Sequence, residues 1–349
     1  MRSSSTPTVK DIAARAKVSV GTVSRVLNRH QDVDERLRLR VEAAVRKLGY
    51  RRHTRTRGAA RAQSRVIGLV LCNDTGLSSA QSLLLLGVEE YCAAAGYCLL
   101  FARHQFSADV ALLPSIIGTP GLASSVIVAG SISRNILAAF SDRGLQYVLL
   151  ANHLVESINS GLRSGCVQYD DQSGCYEATR YLAQLGHTDI WYIGDASQPW
   201  HKNRCNGYAR AMAGLGLEPH VHTIALSDDE FENGQAAVAY ILEQGWPITA
   251  ILAASDDLAL GAREGLRQRR LEVPKDVSVI GFEYRINRSR GSNFTSVCVD
   301  MVEVGRELAR LAIAQIESRP PENRQVVVPA IFVKRSTCRP LRKEEHMLL

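Results

Sequence analysis

Residues 8–28 have the sequence TVKDIAARAKVSVGTVSRVLN, and this stretch predicts two short helices joined by a tight turn. Thr8 and Asp11 have the spacing of a capping box at the start of the first helix. The turn falls at Lys17-Val18, after which Ser19 can cap the second helix. Both helices carry apolar residues at helical spacing on one side, so we expect them to pack together.

The second helix has an outer face that suits the major groove of DNA. Val23, Val26 and Leu27 form its inner stripe, which leaves hydroxyl, amide and guanidinium groups facing outward. An α-helix fits the major groove, where such groups hydrogen-bond base edges. The candidate DNA contacts in this region are Thr8, Ser19, Val20, Gly21, Thr22, Ser24, Arg25 and Asn28.

A third helix and a strongly basic composition accompany this pair. Asp34 can cap a helix with one apolar face, which Gly49 would end. Residues 1–65 carry 17 Lys or Arg against 5 Asp or Glu, whereas the rest of the chain carries 25 against 30. A functionless basic tail is disfavoured because the arginines lie on capped, patterned helices. Residues 1–50 are therefore predicted to form a helix-turn-helix domain that binds nucleic acid.

The remaining residues alternate between apolar runs typical of buried strands and stretches with helical character. Such alternation predicts parallel sheets with helices on both faces. The runs are too many for one modest sheet, so we expect two similar lobes. The strand runs cover residues 66–71, 97–101, 125–129, 147–150, 190–193, 250–253 and 277–280.

Motifs along the whole chain resemble the LacI/GalR-type transcription regulators. In the first 50 residues the matching segments are Asp11-Ile12-Ala13, Val18-Ser19, residues 22–28 (TVSRVLN) and Leu48-Gly49-Tyr50. Further along they are Gly186-His187, Gly207-Tyr208, residues 255–261 (SDDLALG), residues 273–282 (VPKDVSVIGF) and Arg335-Ser336-Thr337. The resemblance implies an α/β fold in which a small all-α helix-turn-helix DNA-binding domain precedes a two-lobed Rossmann-like domain, similar to the periplasmic sugar-binding proteins.

The resemblance also implies a division of the chain. Residues 1–50 are expected to form the helix-turn-helix domain, 51–65 a basic hinge linker, 66–340 the effector-binding domain and 341–349 a polar tail. Within the effector domain, the first lobe is expected at 66–160 and 294–322, and the second at 163–292 and 325–339.

A regulator of this type is expected to be a repressor that binds a pseudo-palindromic operator as a homodimer, because one recognition helix reads too few base pairs. A small ligand between the lobes, expected to be a sugar or sugar phosphate, would control operator affinity. A regulator of a non-sugar metabolite such as a nucleoside, and a ligand-independent architectural DNA-binding protein, stay open as alternatives. No cofactor or metal is expected.

The basic linker departs from the family pattern at Ala59. The resemblance implies a leucine there, which would wedge into the minor groove, and a wedge needs apolar bulk to unstack a base step. The linker, residues 51–65, contains no Leu, Ile, Phe or Met. It either binds DNA mainly through arginines or is a flexible tether, and both interpretations stay open. The candidate DNA contacts here are Arg51, Arg55, Arg57 and Ala59, with Arg52 and Arg61 as further phosphate contacts.

The effector site is predicted where polar residues match the ligand positions of the family. Arg204 matches the arginine that binds ligand hydroxyls, while Ser255 and Glu283 lie where the family often has Asn and Asp. Trp200 could stack on a sugar ring or only pack against the lobe, and Asp256 could contact ligand or only cap a helix. The full set of candidates is Asn73, Asp74, Asn152, Trp200, Arg204, Ser255, Asp256 and Glu283. Asp170 and Asp171 are expected to cap the helix over residues 172–185.

Other classes of protein are disfavoured. The chain has no G-x-S-x-G, H-E-x-x-H or Walker A motif, so we do not expect an enzyme. Its eight cysteines form no C-x-x-C pair and are interpreted as packing residues. No stretch approaches the ~18 apolar residues of a membrane span, and no signal peptide precedes the first helix, so a cytoplasmic protein is expected.

Overall fold

The computed structural model shows a chain that folds as two units, residues 1–61 and 62–349. Each unit has its own hydrophobic core. The residues that the structure describes are 8–27, 33–48, 64–72, 77–104, 119, 121–130, 137, 140, 144–153, 165–195, 198–223, 229–283, 294–317 and 324–341.

The described residues of the N-terminal unit form three helices, α1 (Val9–Ala16), α2 (Val20–Leu27) and α3 (Glu35–Leu48). The predicted capping box begins α1, since the Thr8 amide donates to Asp11 Oδ2 at 2.7 Å and the Asp11 amide donates to Thr8 Oγ1 at 3.4 Å. Lys17 takes a left-handed conformation (φ 49°) that ends α1. The buried side chains of this core are Ile12, Ala13, Ala16, Val23, Val26, Val41 and Ala44.

Arg40 of α3 fixes the turn between α1 and α2. Its Nη2 donates to the carbonyl oxygens of Ala16 at 2.6 Å and Lys17 at 3.1 Å. These carbonyls at the end of α1 have no partner within the helix, so a guanidinium satisfies them and complements the helix dipole. This contact holds α3 against the turn that orients α2.

The larger unit contains two sheets and their covering helices. Its strands are β1 (Val66–Cys72), β2 (Cys98–Arg103), β3 (Ser125–Gly130), β4 (Tyr147–Leu150), β5 (Gly165–Tyr169), β6 (Ile190–Ile193), β7 (His220–His222), β8 (Ala250–Ala253), β9 (Ser278–Glu283), β10 (Thr295–Val299), β11 (Gln325–Val328) and β12 (Ala330–Val333). Its described helices are α4 (Ser79–Ala94), α5 (Asp171–Gln184), α6 (Pro199–Leu215), α7 (Glu230–Glu243), α8 (Asp256–Gln268) and α9 (Met301–Ile316), with a short 3-10 turn at Ala151–His153.

The two sheets define two lobes. The first has the order β11-β5-β4-β3-β1-β2 and is parallel throughout, with α4 packed against α9. The second has the order β12-β10-β9-β8-β6-β7 and is parallel except for β12 against β10, with α5 packed on α6 and α7 on α8. This confirms the predicted α/β fold with two similar lobes.

Along the described strands the chain passes between the two sheets after β5, after β10 and after β11. These passages differ from the expected lobe divisions. Strands β5 and β11, expected in the second lobe, pair with each other in the first sheet, and β10, expected in the first lobe, pairs with β9 in the second. Each of these strands is the last element before a passage, and its hydrogen-bonded neighbours decide its sheet.

All eight cysteines fall within described segments as free thiols, and five of them are buried. Burial raises the pKa of Cys72 to about 12 and that of Cys92 and Cys338 to about 11. Over the described ranges, no group of three or more His, Cys, Asp or Glu side chains could hold a metal ion. None of the helices in those ranges is long and apolar enough to cross a bilayer.

Candidate DNA-binding face and effector site

Helix α2 buries one side and exposes the other, as its sequence pattern predicts. Val23 and Val26 are buried in the core, while Val20, Ser24 and Arg25 are exposed. Helix α2 is therefore oriented within its own unit so that a polar face remains available for DNA.

Two hydroxyls of the predicted DNA face also cap helices. The Thr22 amide donates to Ser19 Oγ at 3.0 Å, and the two hydroxyls lie 2.9 Å apart. The Thr8 hydroxyl donates to Asp11 Oδ2 at 2.7 Å. Ser19 and Thr8 are thus rigidly placed by the helix ends they stabilise.

Gly21 is not required by the fold of this unit. Among the described residues, a Cβ at this position would meet only Ser19 Oγ, at an ordinary contact distance of 3.6 Å. The packing of the domain therefore does not explain the glycine at this position. Its lack of a side chain leaves a shallow surface at the start of α2. The other predicted DNA contacts, Asn28, Arg51, Arg52, Arg55, Arg57, Ala59 and Arg61, lie outside the described residues.

Arg204, on α6, is completely buried in the larger unit. Its Nη1 donates to the carbonyl oxygen of Ala254, and its Cζ lies 3.6 Å from the centroid of the Phe282 ring. Its Nε lies 3.7 Å from Asp171 Oδ2, which places a cation and a carboxylate side by side in the interior. A buried guanidinium needs this degree of compensation, because an uncompensated one would be strongly destabilising.

Asn152 and Asp171 connect this arginine to the first lobe. Asn152 follows β4, and its Nδ2 donates to the Tyr169 carbonyl at 2.8 Å and to Asp171 Oδ1 at 3.3 Å. The Tyr169 amide donates back to Asn152 Oδ1 at 2.8 Å, which fixes the amide group. A continuous polar contact therefore runs from Asn152 of the first lobe through Asp171 to Arg204 of the second.

Asp171 was expected to cap α5, and the structure corrects this. Asp170 is the cap, accepting from the Ser173 amide at 3.1 Å, while Asp171 is only 2% exposed and faces Arg204. Burial raises the pKa of the Asp171 carboxyl to about 7, and the neighbouring Arg204 opposes that rise. The sequence signal for this arrangement was the pair of adjacent acids at the start of the helix, because one acid can cap the helix while the other turns into the interior.

A close approach of two helices brings Arg204 to Asp171. A Cβ on Gly207 of α6 would lie 2.1 Å from the carbonyl oxygen of Gln172 on α5, so only glycine permits this contact. Arg204 precedes Gly207 by three residues and so lies on the same face of α6. The Gly207-Tyr208 motif of the sequence thus sets the distance between the charged pair.

A second polar cluster surrounds Ser255 at the end of β8. Ser255 Oγ donates to Glu230 Oε2 and accepts from the Leu258 amide at 3.2 Å, which caps α8. His201 Nε2 lies 3.5 Å from Glu230 Oε1, and the Asp195 amide donates to His201 Nδ1 at 3.1 Å. Burial, and secondarily Arg204, lowers the pKa of His201 to about 3, so this imidazole is neutral. Burial raises the pKa of Glu230.

The remaining candidates have separate environments. Ser255 rather than Asp256 caps α8, and Asp256 Oδ1 accepts from Ser296 Oγ at 3.3 Å. Trp200 is half-buried, edge-on to the His201 ring at 6.1 Å between centroids. Glu283 ends β9 opposite Cys298, and its side chain lies outside the described residues, as do Asn73 and Asp74.

The structure therefore brings together Asn152, Arg204 and Ser255 and adds three residues that the sequence did not identify as site residues, Asp171, His201 and Glu230. Most of these side chains follow the carboxyl ends of parallel strands or lie on the helices just after them. Ligands of open α/β sheets bind at such ends. A three-helix DNA-binding unit joined to a two-lobed α/β unit with this cluster defines a ligand-binding class of transcription regulator.

Comparison with known proteins identifies the family. Residues 8–53 match the profile of the bacterial regulatory proteins of the lacI family, and residues 179–338 match that of the periplasmic binding protein-like domain. The HTH-type transcriptional repressor CytR of Escherichia coli (strain K12) is 30% identical over 316 residues, which cover 89% of this chain and 90% of CytR. The chain belongs to the LacI family and is a DNA-binding transcriptional regulator.

A further relative and a solved structure are also similar to this chain. The HTH-type transcriptional regulator GalR of Escherichia coli (strain K12) is 29% identical over 346 residues, covering 97% of this chain and 98% of GalR. The solved complex of the transcriptional regulator CelR with cellobiose has the same fold, with a TM-score of 0.67 at 24% identity over 95% of this chain and 99% of CelR. These relatives are transcriptional regulators.

Proposed function

We propose that this protein is a repressor whose operator affinity is controlled by a small polyhydroxyl effector bound between its two lobes. The observation that carries the proposal is the contact from Asn152 through Asp171 to Arg204, which joins the lobes at the carboxyl ends of their strands. A ligand at this place contacts both lobes at once, and so alters their relative placement.

On the DNA side, the exposed face of α2 enters the major groove. Arg25 reads a guanine edge, and Val20 and Gly21 lie at the start of the helix where they meet neighbouring bases. Ser19, Thr22, Ser24 and Thr8 contact base edges or phosphates. The protein binds a pseudo-palindromic operator as a homodimer, because each α2 covers only one half-site.

On the effector side, a carbohydrate is the ligand class that we propose. Sugars need convergent hydrogen-bonding groups in a closed site, and Arg204, Asn152 and Ser255 supply guanidinium, amide and hydroxyl groups. The half-buried Trp200 offers an aromatic face beside them. Cellobiose in the CelR complex supports this class, since that protein shares the fold.

The regulation follows from differential affinity. A ligand that favours one placement of the lobes also favours one placement of the DNA-binding units, without touching DNA. No catalytic step is required for this action. The protein acts in the cytoplasm, where operator DNA is found.

Calorimetry with a panel of free sugars and nucleosides tests the effector site. We expect at least one sugar to bind the wild-type protein, and Arg204→Ala to weaken that binding at least ~10-fold by removing a charge-assisted donor. Arg210→Ala is the matched control, because Arg210 is exposed on the same helix and lies over the Tyr176 ring. Equal ligand affinity in all three proteins would overturn the assignment of Arg204.

A further inference from the structure

The charge of Arg204 is already matched inside the protein. Its Nη1 donates to the Ala254 carbonyl oxygen, its face lies against Phe282, and its Nε faces the Asp171 carboxylate at 3.7 Å. Arginine stays protonated at any physiological pH, and among the described residues the Asp171 carboxyl lies directly beside it. At pH 8, above the Asp171 pKa of about 7, a ligand that reaches this pair therefore meets a dipole rather than a net positive charge.

The surroundings of the pair are acidic rather than basic. Glu230 lies on the other side of His201, and Asp195 follows β6 at the same edge of the sheet. His201 contributes no compensating charge, because its pKa is lowered to about 3. A phosphate monoester would bring up to two negative charges toward these carboxylates, and like charges at short range in the interior repel strongly.

Asp171 also leaves one acceptor unused. Within the described ranges its Oδ2 is buried and receives no hydrogen bond, although it faces Arg204. A buried carboxylate oxygen without a donor is costly, and a ligand hydroxyl would supply that donor. A phosphate dianion has no proton to donate, so the phosphate group of a sugar ester cannot satisfy this oxygen and only its remaining hydroxyls can.

Building on the effector site proposed above, we propose that Asp171 makes the site select an uncharged polyhydroxyl ligand over its phosphate ester, by neutralising Arg204 and by accepting a ligand hydroxyl. The resemblance to known regulators allowed both a sugar and a sugar phosphate as the ligand. The buried pair decides between them, and Asp171 becomes a specificity-determining residue.

Inorganic sulfate is a direct probe of this selectivity, because it is a dianion of phosphate-like shape and needs no knowledge of the natural effector. The melting temperature of the full chain is measured at pH 8 in sulfate and in chloride at equal ionic strength. We expect sulfate to raise the melting temperatures of the wild-type and Arg204→Gln proteins equally, since Arg204 is not available to anions. A larger gain for the wild-type protein would overturn the proposal.

Asp171→Asn is the decisive variant, because it keeps the shape and removes the charge that balances Arg204. We expect its sulfate affinity to exceed that of the wild type by at least ~10-fold, and the gain to vanish in the double variant Asp171→Asn, Arg204→Gln. Asp170→Asn is the matched control, since Asp170 is adjacent and only caps α5. No gain in Asp171→Asn, or an equal gain in Asp170→Asn, would contradict the proposal.

The wild-type protein alone provides a second test that does not depend on a variant folding. Glucose is compared with glucose 6-phosphate and ribose with ribose 5-phosphate by calorimetry, and any pair that binds should favour the free sugar by at least ~10-fold. Tighter binding of a phosphate ester would overturn the proposal. If no sugar binds while Asp171→Asn gains sulfate affinity, the carbohydrate class fails and only the neutralisation of Arg204 by Asp171 stands.

Discussion

Arg25 lies on the exposed face of α2, where a guanidinium can reach the two acceptors on a guanine edge. Arg25→Ala should weaken cognate operator binding by about 1–3 kcal/mol and relax specificity at one base pair. Fluorescence anisotropy on cognate and random DNA measures both effects. Arg15→Ala, in the exposed last turn of α1, is the control and should weaken binding to cognate and random DNA by a similar small factor. An equal loss on the two DNAs for Arg25→Ala would show a phosphate contact only.

His201 predicts a specific dependence of stability on pH. Its folded pKa of about 3 lies below its ordinary value of 6.5, so the folded protein holds fewer protons than the unfolded chain between these values. Its contribution to stability is therefore lost as pH falls below 6.5, by up to about 1.4 kcal/mol per pH unit. The groups around it are Asp195, Arg204 and Glu230.

His201→Gln should remove this dependence, because glutamine can still accept from the Asp195 amide but does not titrate. Urea unfolding between pH 4.5 and 7.5 measures the difference between the two proteins. The wild type should be the more stable at pH 7.5, and its advantage should shrink as pH falls. Asp171 has the opposite effect, since its raised pKa lowers the stability of the folded protein as pH rises from about 4 to 7. The wild-type protein is therefore compared with the single variant His201→Gln, because both contain Asp171. Parallel pH profiles would contradict the assignment.

At this scale the sequence identified some residues of the polar cluster and missed others. Arg204 and Ser255 were predicted by their place in the family motifs, whereas Asp171 was assigned only as a cap. His201 and Glu230 gave no signal, because they are 29 residues apart in the sequence and meet only when α6 and α7 follow neighbouring strands. A buried polar contact between distant segments has no local periodicity that could predict it.

Helices α5 and α6 touch where Gly207 faces Gln172. Gly207→Ala places a methyl group 2.1 Å from a backbone oxygen, so the helices must separate, and we expect a loss of about 1–3 kcal/mol in the free energy of unfolding. The separation should also weaken the pairing of Arg204 with Asp171 and reduce effector affinity. Urea unfolding and calorimetry measure the two effects.

Gly214→Ala is the matched control on the same helix. A Cβ there meets nothing within 4 Å, so the substitution should be neutral or stabilising by up to about 1 kcal/mol through helix propensity. If both variants show the same stability, the close approach of α5 and α6 does not constrain the site.

The elements themselves were largely predictable, and their lobe membership was not. Alternating apolar runs predicted parallel strands, and the capping box predicted the start of α1, because both signals are local. Strands β5, β10 and β11 have the same apolar character as their neighbours in either sheet. Only their hydrogen bonding, such as that of β5 with β11, shows which lobe they join. The contact of Arg40 with the end of α1 was missed for a similar reason.

The hinge concerns the whole molecule, and its residues lie outside the described ranges. If Ala59 cannot wedge into the minor groove, operator binding should depend on phosphate contacts by Arg51, Arg52, Arg55, Arg57 and Arg61. In a salt titration, the logarithm of the operator association constant should then fall by roughly 0.9 per log unit of salt for each phosphate neutralised. Ala59→Leu should tighten binding to an operator with a flexible central step and bend it more. A sharp central kink already present with the wild-type protein would contradict this prediction.

The linkage between effector and operator tests the central claim most directly. The operator is first selected from random DNA with the full chain, and its affinity is then measured across a titration of a sugar that binds the protein. We predict a pseudo-palindromic operator whose affinity changes by about 5–150-fold at saturating sugar, with the same factor appearing in sugar affinity when operator is added. An operator affinity that stays constant while the sugar saturates its site would contradict the account.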